Sequence, residues 1–240
     1  MIIHNYIHAL YSRLFPETIR KKKKMLSQIH HTGDALVILE AGASDGTDTI
    51  EFSKILQSHT FYHPDNKIYA FEPIPNSYEL LQKKTQSCTN VVTIPQALGS
   101  NDGSQTIYVS SNTSFADGVA SSSSLLPPKD TLSFHPHIKF DAQKTVEITS
   151  LDSWAIKNNI TKIDFMWLDM QGMEMKALQS GLTILKTTKA IFSEVSFLEM
   201  YEGAPLYKEY RIWLESLGFS VIFEDNTYED MGNVFFLRNN

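Results

Sequence analysis

At 240 residues, with 42% hydrophobic and 20% charged side chains, the chain is long enough for one substantial core and ordinary in composition for a globular protein. A net charge of −6 speaks against nucleic-acid binding through bulk positive charge. Its one cysteine, Cys88, excludes an intramolecular disulfide and fits a reducing, cytoplasmic setting.

Residues 1–34 read as an N-terminal helical extension. Ile3, Ile7, Leu10 and Leu14 recur at helical spacing, while His4, Asn5 and His8 interrupt any signal-type apolar run. The following "KKKK", residues 21–24, reads as a solvated helix end rather than a contact with a membrane or a polyanion. Nothing approaches the roughly 20 apolar residues of a spanning helix, so no stable membrane insertion is expected.

Five continuous apolar runs then read as strands covered on both faces: 36–41, 67–72, 91–95, 163–169 and 190–195. Helices are predicted over 47–59, 174–187 and 205–217, from Phe52, Ile55 and Leu56, then Leu178, Leu182 and Leu185, then Leu206, Tyr210, Trp213 and Leu217. Alternating strands and helices imply right-handed crossovers and an open, mostly parallel sheet. "FSVIFE" and "NVFFLR" read as an antiparallel hairpin closing one sheet edge. Residues 99–150 break the rhythm. Two short strand-like pieces, "TIYVS" and "TVEIT", flank a Ser-rich, Pro-containing stretch read as an inserted lid or substrate region, with a disordered loop as the alternative. No repeat or second core is evident, and 1–240 reads as one domain.

In such a sheet, ligands bind where strand tips meet loops at the reversal of strand order. The first strand leaves through "EAGASDGT", residues 40–47. A dinucleotide fingerprint begun at Gly42 needs glycines at 44 and 47, where Ser44 and Thr47 stand, and no Walker lysine follows. The loop is therefore poorly built for phosphate, and an NAD-dependent enzyme is disfavoured. S-adenosyl-L-methionine has no phosphate and carries positive charge. Gly42 and Gly46, flanking Ala43, Ser44 and Asp45, would let backbone pass close to it. Glu40 and Asp45 would supply negative potential, and amides around Thr47 would receive its carboxylate. Glu72, ending the second strand before Pro73, would accept both hydroxyls of a ribose. Gln96 and Ala97 would lie beside an adenine.

With these pieces placed, the chain resembles the FkbM family of S-adenosylmethionine-dependent methyltransferases. The motifs, in order, are "EAGASDG", "FEPIPNS", "QALGS", "SSSSLL", "TSLDSW" and "LDMQGMEMKALQSG", from about residue 36 to the C-terminus. The resemblance implies a Rossmann-like α/β fold: a seven-stranded, mostly parallel sheet with a C-terminal antiparallel hairpin and helices on both faces. It also implies O-methylation of a hydroxyl on a small molecule or glycan. Two positions depart from the family pattern: Trp167 where a lysine is frequent, and Gln171 where a glutamate is. They keep open a module that binds the cofactor without catalysis.

Asp169, ending the fourth strand, is the first candidate for base, acceptor orientation or metal ligation, with turn-capping as its plain alternative. Glu194, near the end of the fifth strand, is the second, its plain alternative being a half-buried pair with a basic residue. Glu174 reads as an acid favoured by a helix N-terminus. His135 and His137 read as incidental, so no metal site is expected, and Trp167 fits either core or cleft. Acceptor identity and oligomeric state leave no trace in the sequence.

Overall fold

A computed structural model of the chain describes residues 17–112, 122–225 and 228–239. The apolar stripe at Ile3, Ile7, Leu10 and Leu14 and part of the Ser-rich insertion lie outside these residues. In chain order the elements begin with α1 (Glu17–Leu26), β1 (Val37–Ala41), α2 (Thr47–Leu56), β2 (Lys67–Phe71), α3 (Pro75–Thr85) and β3 (Val91–Ile94). Next come β4 (Ala97–Leu98), β5 (Gly103–Asn112), α4 (Thr131–Phe134), β6 (Ile138–Thr149), α5 (Leu151–Lys157) and β7 (Phe165–Leu168). The chain closes with α6 (Glu174–Gln179), α7 (Leu182–Leu185), β8 (Ala190–Ser196), α8 (Tyr207–Ser216), β9 (Phe219–Asp225) and β10 (Met231–Arg238).

Burial on both faces sets the centre of the molecule. The seven-stranded sheet runs β3-β2-β1-β7-β8-β10-β9. Its first five strands are parallel, and β10 runs antiparallel to β8 and β9. Leu39, Met166 and Ile191 face one layer, against Trp154 of α5, Leu178 of α6 and Leu214 of α8. Ile38, Phe165 and Phe192 face the other, against Leu26 of α1 and Phe52 of α2. This is the sheet expected from the apolar runs. Its order reverses between β1 and β7, so the crevice forms at their tips.

The described part of residues 99–150 forms a small sheet. β5 and β6 pair antiparallel along most of their length and join β4 in a three-stranded sheet ordered β4-β6-β5. Ile107, Val146 and Ile148 bury one side of it against Ile74 and Tyr201. Lys139, Asp141, Gln143 and Lys144 make most of β6 polar, which hides the strand from a search for apolar runs.

Helix boundaries differ for local reasons. The segment predicted as one helix over 174–187 is two, because Gly181 lies against Leu151; a Cβ there would come within 2.4 Å of Leu151 Cδ2. α3 escaped the periodicity search because its buried stripe is Ser77, Leu81 and Thr85, two of them polar.

The "KKKK" run is not a solvated end throughout. Ile19, Lys22 and Leu26 form one buried stripe of α1, and Lys22 is 1% exposed. Its ammonium pairs with Asp48 and, at 2.5 Å, with Glu51, both on α2. It also lies 5.0 Å from the Phe52 ring and 4.9 Å from Trp167. α1 is thereby fastened to the helix that starts at the crevice. Lys22→Met leaves the shielded Glu51 without its cation and should lower unfolding free energy by about 3 kcal/mol. A urea melt showing a change below about 0.5 kcal/mol would contradict that assignment.

Candidate functional site

Three strand tips converge because backbone can approach backbone there. Gly42 and Ala43 donate their amides to the carbonyl of Phe71 (3.1 and 2.9 Å), and Asp169 donates its amide to the carbonyl of Ala41 (3.0 Å). Gly42 has φ +84°, and a Cβ on it would sit 1.8 Å from the Asp169 carbonyl oxygen. Gly46, with φ +82°, precedes α2; a Cβ there would come within 2.8 Å of Leu81 Cδ1. Both glycines make room for protein, so the immediate reason for them is chain packing rather than space for a ligand.

Glu72 is the buried acid of this crevice, 5% exposed. One carboxyl oxygen accepts the Ser44 amide at 2.8 Å and the other the Ile74 amide at 2.8 Å. Each oxygen keeps a further lone pair for a hydroxyl donor. Burial pushes its pKa up to about 7, against the lowering effect of the two amide bonds. Asp45 is committed elsewhere: it pairs with Lys84 of α3 and accepts the Thr47 amide at 3.0 Å. Partial burial raises its pKa, but the bonds from Lys84 and Thr47 outweigh this and hold it below the usual range.

Glu40 points away from the crevice. It is 1% exposed, accepts the Thr49 hydroxyl at 2.6 Å, and lies opposite Trp167 in the β1–β7 register. Burial pushes its pKa up to about 8, opposed by the Thr49 bond and by Lys22. The expectation that Glu40 lends negative potential to a ligand meets strand alternation: Ala41 faces the crevice and Glu40 the opposite layer. Trp167 shares that layer, stacked on Phe192 with ring centroids 4.0 Å apart.

Asp169 opens onto the crevice within a cluster of acids. Gln171 Nε2 donates to Asp169 Oδ1 and to Glu194 Oε2, each at 2.7 Å, while Gln171 Oε1 lies 2.7 Å from the Tyr201 hydroxyl. The Gln171 amide thereby holds the two carboxyls beside one another. Crowding by protein raises both pKa values; for Glu194 the Asp169 charge adds to the rise, and for Asp169 the Gln171 bond opposes it. Among the described residues Glu194 accepts from Gln171 and makes no ion pair with a basic residue, the pairing considered as its plain alternative. Glu174, also buried, accepts the amides of Met170 (2.6 Å) and Gly172 (3.0 Å), so it, rather than Asp169, fixes the turn. Burial brings its pKa up to about 7.

About 840 Å³ of empty space, part of it open to solvent, lies within the crevice. Gly42, Ala43, Ser44, Asp45, Thr47, Glu72, Pro73, Gln96, Ala97 and Asp169 line it; Glu40, Gly46 and Glu194 do not. Sequence reasoning did not assign Asp48, Ile107, Leu125, Met170, Met173 or Gln171 to the lining. Gln171 carried one sequence signal, its departure from the family pattern; its positive φ of 54° belongs to the fold. Ile107 and Leu125 arrive from the second sheet, which no local pattern ties to the crevice. His135 pairs with Asp230 at 2.6 Å, away from this lining. Among the described residues no group of three metal-ligating side chains assembles.

Residues 40–221 match the Methyltransferase FkbM domain. The 2-O-methyltransferase NoeI of Sinorhizobium fredii (strain NBRC 101917 / NGR234) is 28% identical over 197 residues, which is 80% of this chain and 78% of that protein. Among solved structures, the N-terminal domain of EvdMO1 with S-adenosylhomocysteine bound aligns at TM-score 0.50 and 10% identity, over 96% of this chain and 84% of that one. An rRNA methylase from Streptococcus thermophilus aligns at 0.48 and 11%, over 93% and 98%. The EvdMO1 likeness speaks for the fold alone.

Replacing Gln171 by Glu removes the donor that bridges two acids and adds a third carboxyl beside them. The variant should lose about 2 kcal/mol at pH 8 and less at pH 5.5, where the added group stays protonated. Equal losses at both pH values in denaturant melts would contradict the bridging role.

Proposed function

The chain belongs to the FkbM family of methyltransferases, and we propose that it transfers the methyl group of S-adenosyl-L-methionine to a hydroxyl of a small-molecule or glycan acceptor. The observation that carries this reading is Glu72: a buried carboxylate held by two backbone amides, opening on a crevice that has no lysine among its described lining residues. The crevice suits the cofactor's chemistry. Glu72 would take the two ribose hydroxyls and the slot of Phe71, Ile74, Ala97 and Leu98 the adenine, whereas the Thr47 amide expected to receive the cofactor's carboxylate is already bonded to Asp45. Bound there, the cofactor supplies an activated methyl group.

The residues of the chain then have three tasks. The first is alignment: the 42–47 loop is tied to the end of β2 and the 169–172 turn to the end of β1, so a donor on one side and an acceptor on the other keep a fixed separation. The second is water exclusion, supplied by Ile107, Leu125, Met170 and Met173. The third is proton removal from the acceptor oxygen. Asp169, its pKa raised by crowding and opposed by Gln171, is a stronger base than an ordinary aspartate and faces the crevice. Glu194, joined to Asp169 through the Gln171 amide and outside the crevice lining, would support that base without touching the acceptor. The 2-O-methyltransferase relative makes a hydroxyl the first acceptor group to try.

Calorimetry with S-adenosylhomocysteine tests the cofactor assignment. Glu72→Ala should weaken binding about 20-fold, the loss expected for hydrogen bonds to a charged group. Wild-type affinity should fall as pH drops below about 7, the pKa of Glu72, because the protonated acid loses acceptor capacity. A variant binding as tightly as wild type would remove the ribose assignment. With labelled S-adenosylmethionine and a panel of glycans and polyhydroxylated small molecules, methyl transfer to oxygen is expected. Asp169→Asn should cut kcat about 100-fold while leaving cofactor affinity nearly unchanged. Cofactor binding without transfer to any acceptor would point to a binding module instead.

A further inference from the structure

One face of the molecule has features that methyl transfer does not use. A groove runs between α1 and the β9–β10 hairpin. Met25 and Phe235 form its floor, while Ile222 and Phe223 of β9 remain 49% and 42% exposed. Arg20, Lys21 and Lys24 stand along its rim, the Lys21 ammonium 4.6 Å from the Phe223 ring centroid. One acid, Asp225, belongs to the lining, and the neighbouring Glu224 is occupied by Arg211 and Tyr207. A cationic rim around exposed apolar side chains is unusual on a chain of net charge −6.

The sequence leading into α1 has the same character. Residues 1–24 contain Arg13, Arg20 and Lys21 to Lys24 against a single acid, Glu17, with Ile3, Ile7, Leu10 and Leu14 at helical spacing. A second copy of the chain fits this face poorly. Two-fold pairing would set Lys21 and Lys24 against their own images. Sheet extension is discouraged too, because the β9–β10 register shifts between Phe235 and Phe236, leaving a bulge at Ile222 on the edge strand. The complement required is anionic, extended and apolar beneath its charge.

We propose that the α1–β9 face adsorbs the protein onto an anionic lipid surface, with Arg20, Lys21 and Lys24 meeting the headgroups and Ile222 and Phe223 reaching the acyl boundary. Adsorption of this kind needs no spanning helix, and none of the described helices is long and apolar enough to be one. Both parts of the contact are needed: basic side chains draw the chain to the leaflet within a Debye length, and the apolar pair adds area-dependent affinity.

Co-sedimentation of the full chain with vesicles tests this directly. Vesicles of phosphatidylcholine containing about 30% phosphatidylglycerol should pellet the protein at low salt, pure phosphatidylcholine should not, and high salt should release it. Lys21→Glu/Lys24→Glu should weaken binding about ten-fold or more, Ile222→Ser/Phe223→Ser several-fold, and Lys208→Glu, on α8, not at all. If thermal melts show that the double charge reversal is misfolded, Lys24→Glu alone at its exposed position gives the reading, with about a three-fold loss expected. Failure of wild type to pellet with the anionic vesicles overturns the proposal, as does a correctly folded charge-reversal variant that binds like wild type. A concentration-dependent dimer abolished by Ile222→Ser/Phe223→Ser, without vesicle binding, overturns it as well and makes the face a subunit contact.

Discussion

The site depends on one close approach, that of Gly42 to the carbonyl of Asp169. No side chain fits between them, since a Cβ would lie 1.8 Å from that oxygen. The approach lets Asp169 donate its amide to Ala41 while Gly42 and Ala43 donate theirs to Phe71. Three strand tips are thereby tied into one rim before any ligand is considered. The backbone supplies the shape, and ligand chemistry falls to the side chains that the rim presents, chiefly Glu72 and Asp169.

These acids are held in an expensive condition. Glu40, Glu72 and Glu174 all have pKa values raised from 4.5, to about 8, 7 and 7, chiefly by burial. In the folded chain they retain protons that an unfolded chain has already released. Folding therefore takes up protons between about pH 4.5 and 8, and their contribution to stability declines as pH rises through that window. Backbone amides, Thr49 and Lys22 offset part of this cost. Gln171 does the same for Asp169 and Glu194 without adding charge, which gives the amide a role that a carboxyl at that position would not fill.

The sheet was legible because fully buried parallel strands are continuous apolar runs, and the crevice followed from the order of strand and helix. Glu72 could be found as an acid at a strand tip with prolines after it. Other features were hidden for identifiable reasons. Lys22 is a cation on an apolar stripe, so a rule that counts charge as solvated misplaces it. β6 buries only one side of a polar strand, and α3 buries Ser77 and Thr85, so neither carries an apolar period. Glu40 was placed by motif rather than by alternation along β1, which turns it to the other layer. The contributions of Ile107, Leu125 and Tyr201 arise from contacts distant in sequence that no local spacing encodes.

The central claim is that the β1 exit and the tip of β2 together hold an adenosyl group, with Glu72 on its ribose. A crystal structure of the protein with S-adenosylhomocysteine tests it most directly. The account predicts the nucleoside in the crevice between Gly42 and Asp169, both ribose hydroxyls within hydrogen-bond distance of the Glu72 carboxylate. Density for the nucleoside elsewhere, or a ribose turned away from Glu72 with that carboxylate bonded only to Ser44 and Ile74, would contradict it.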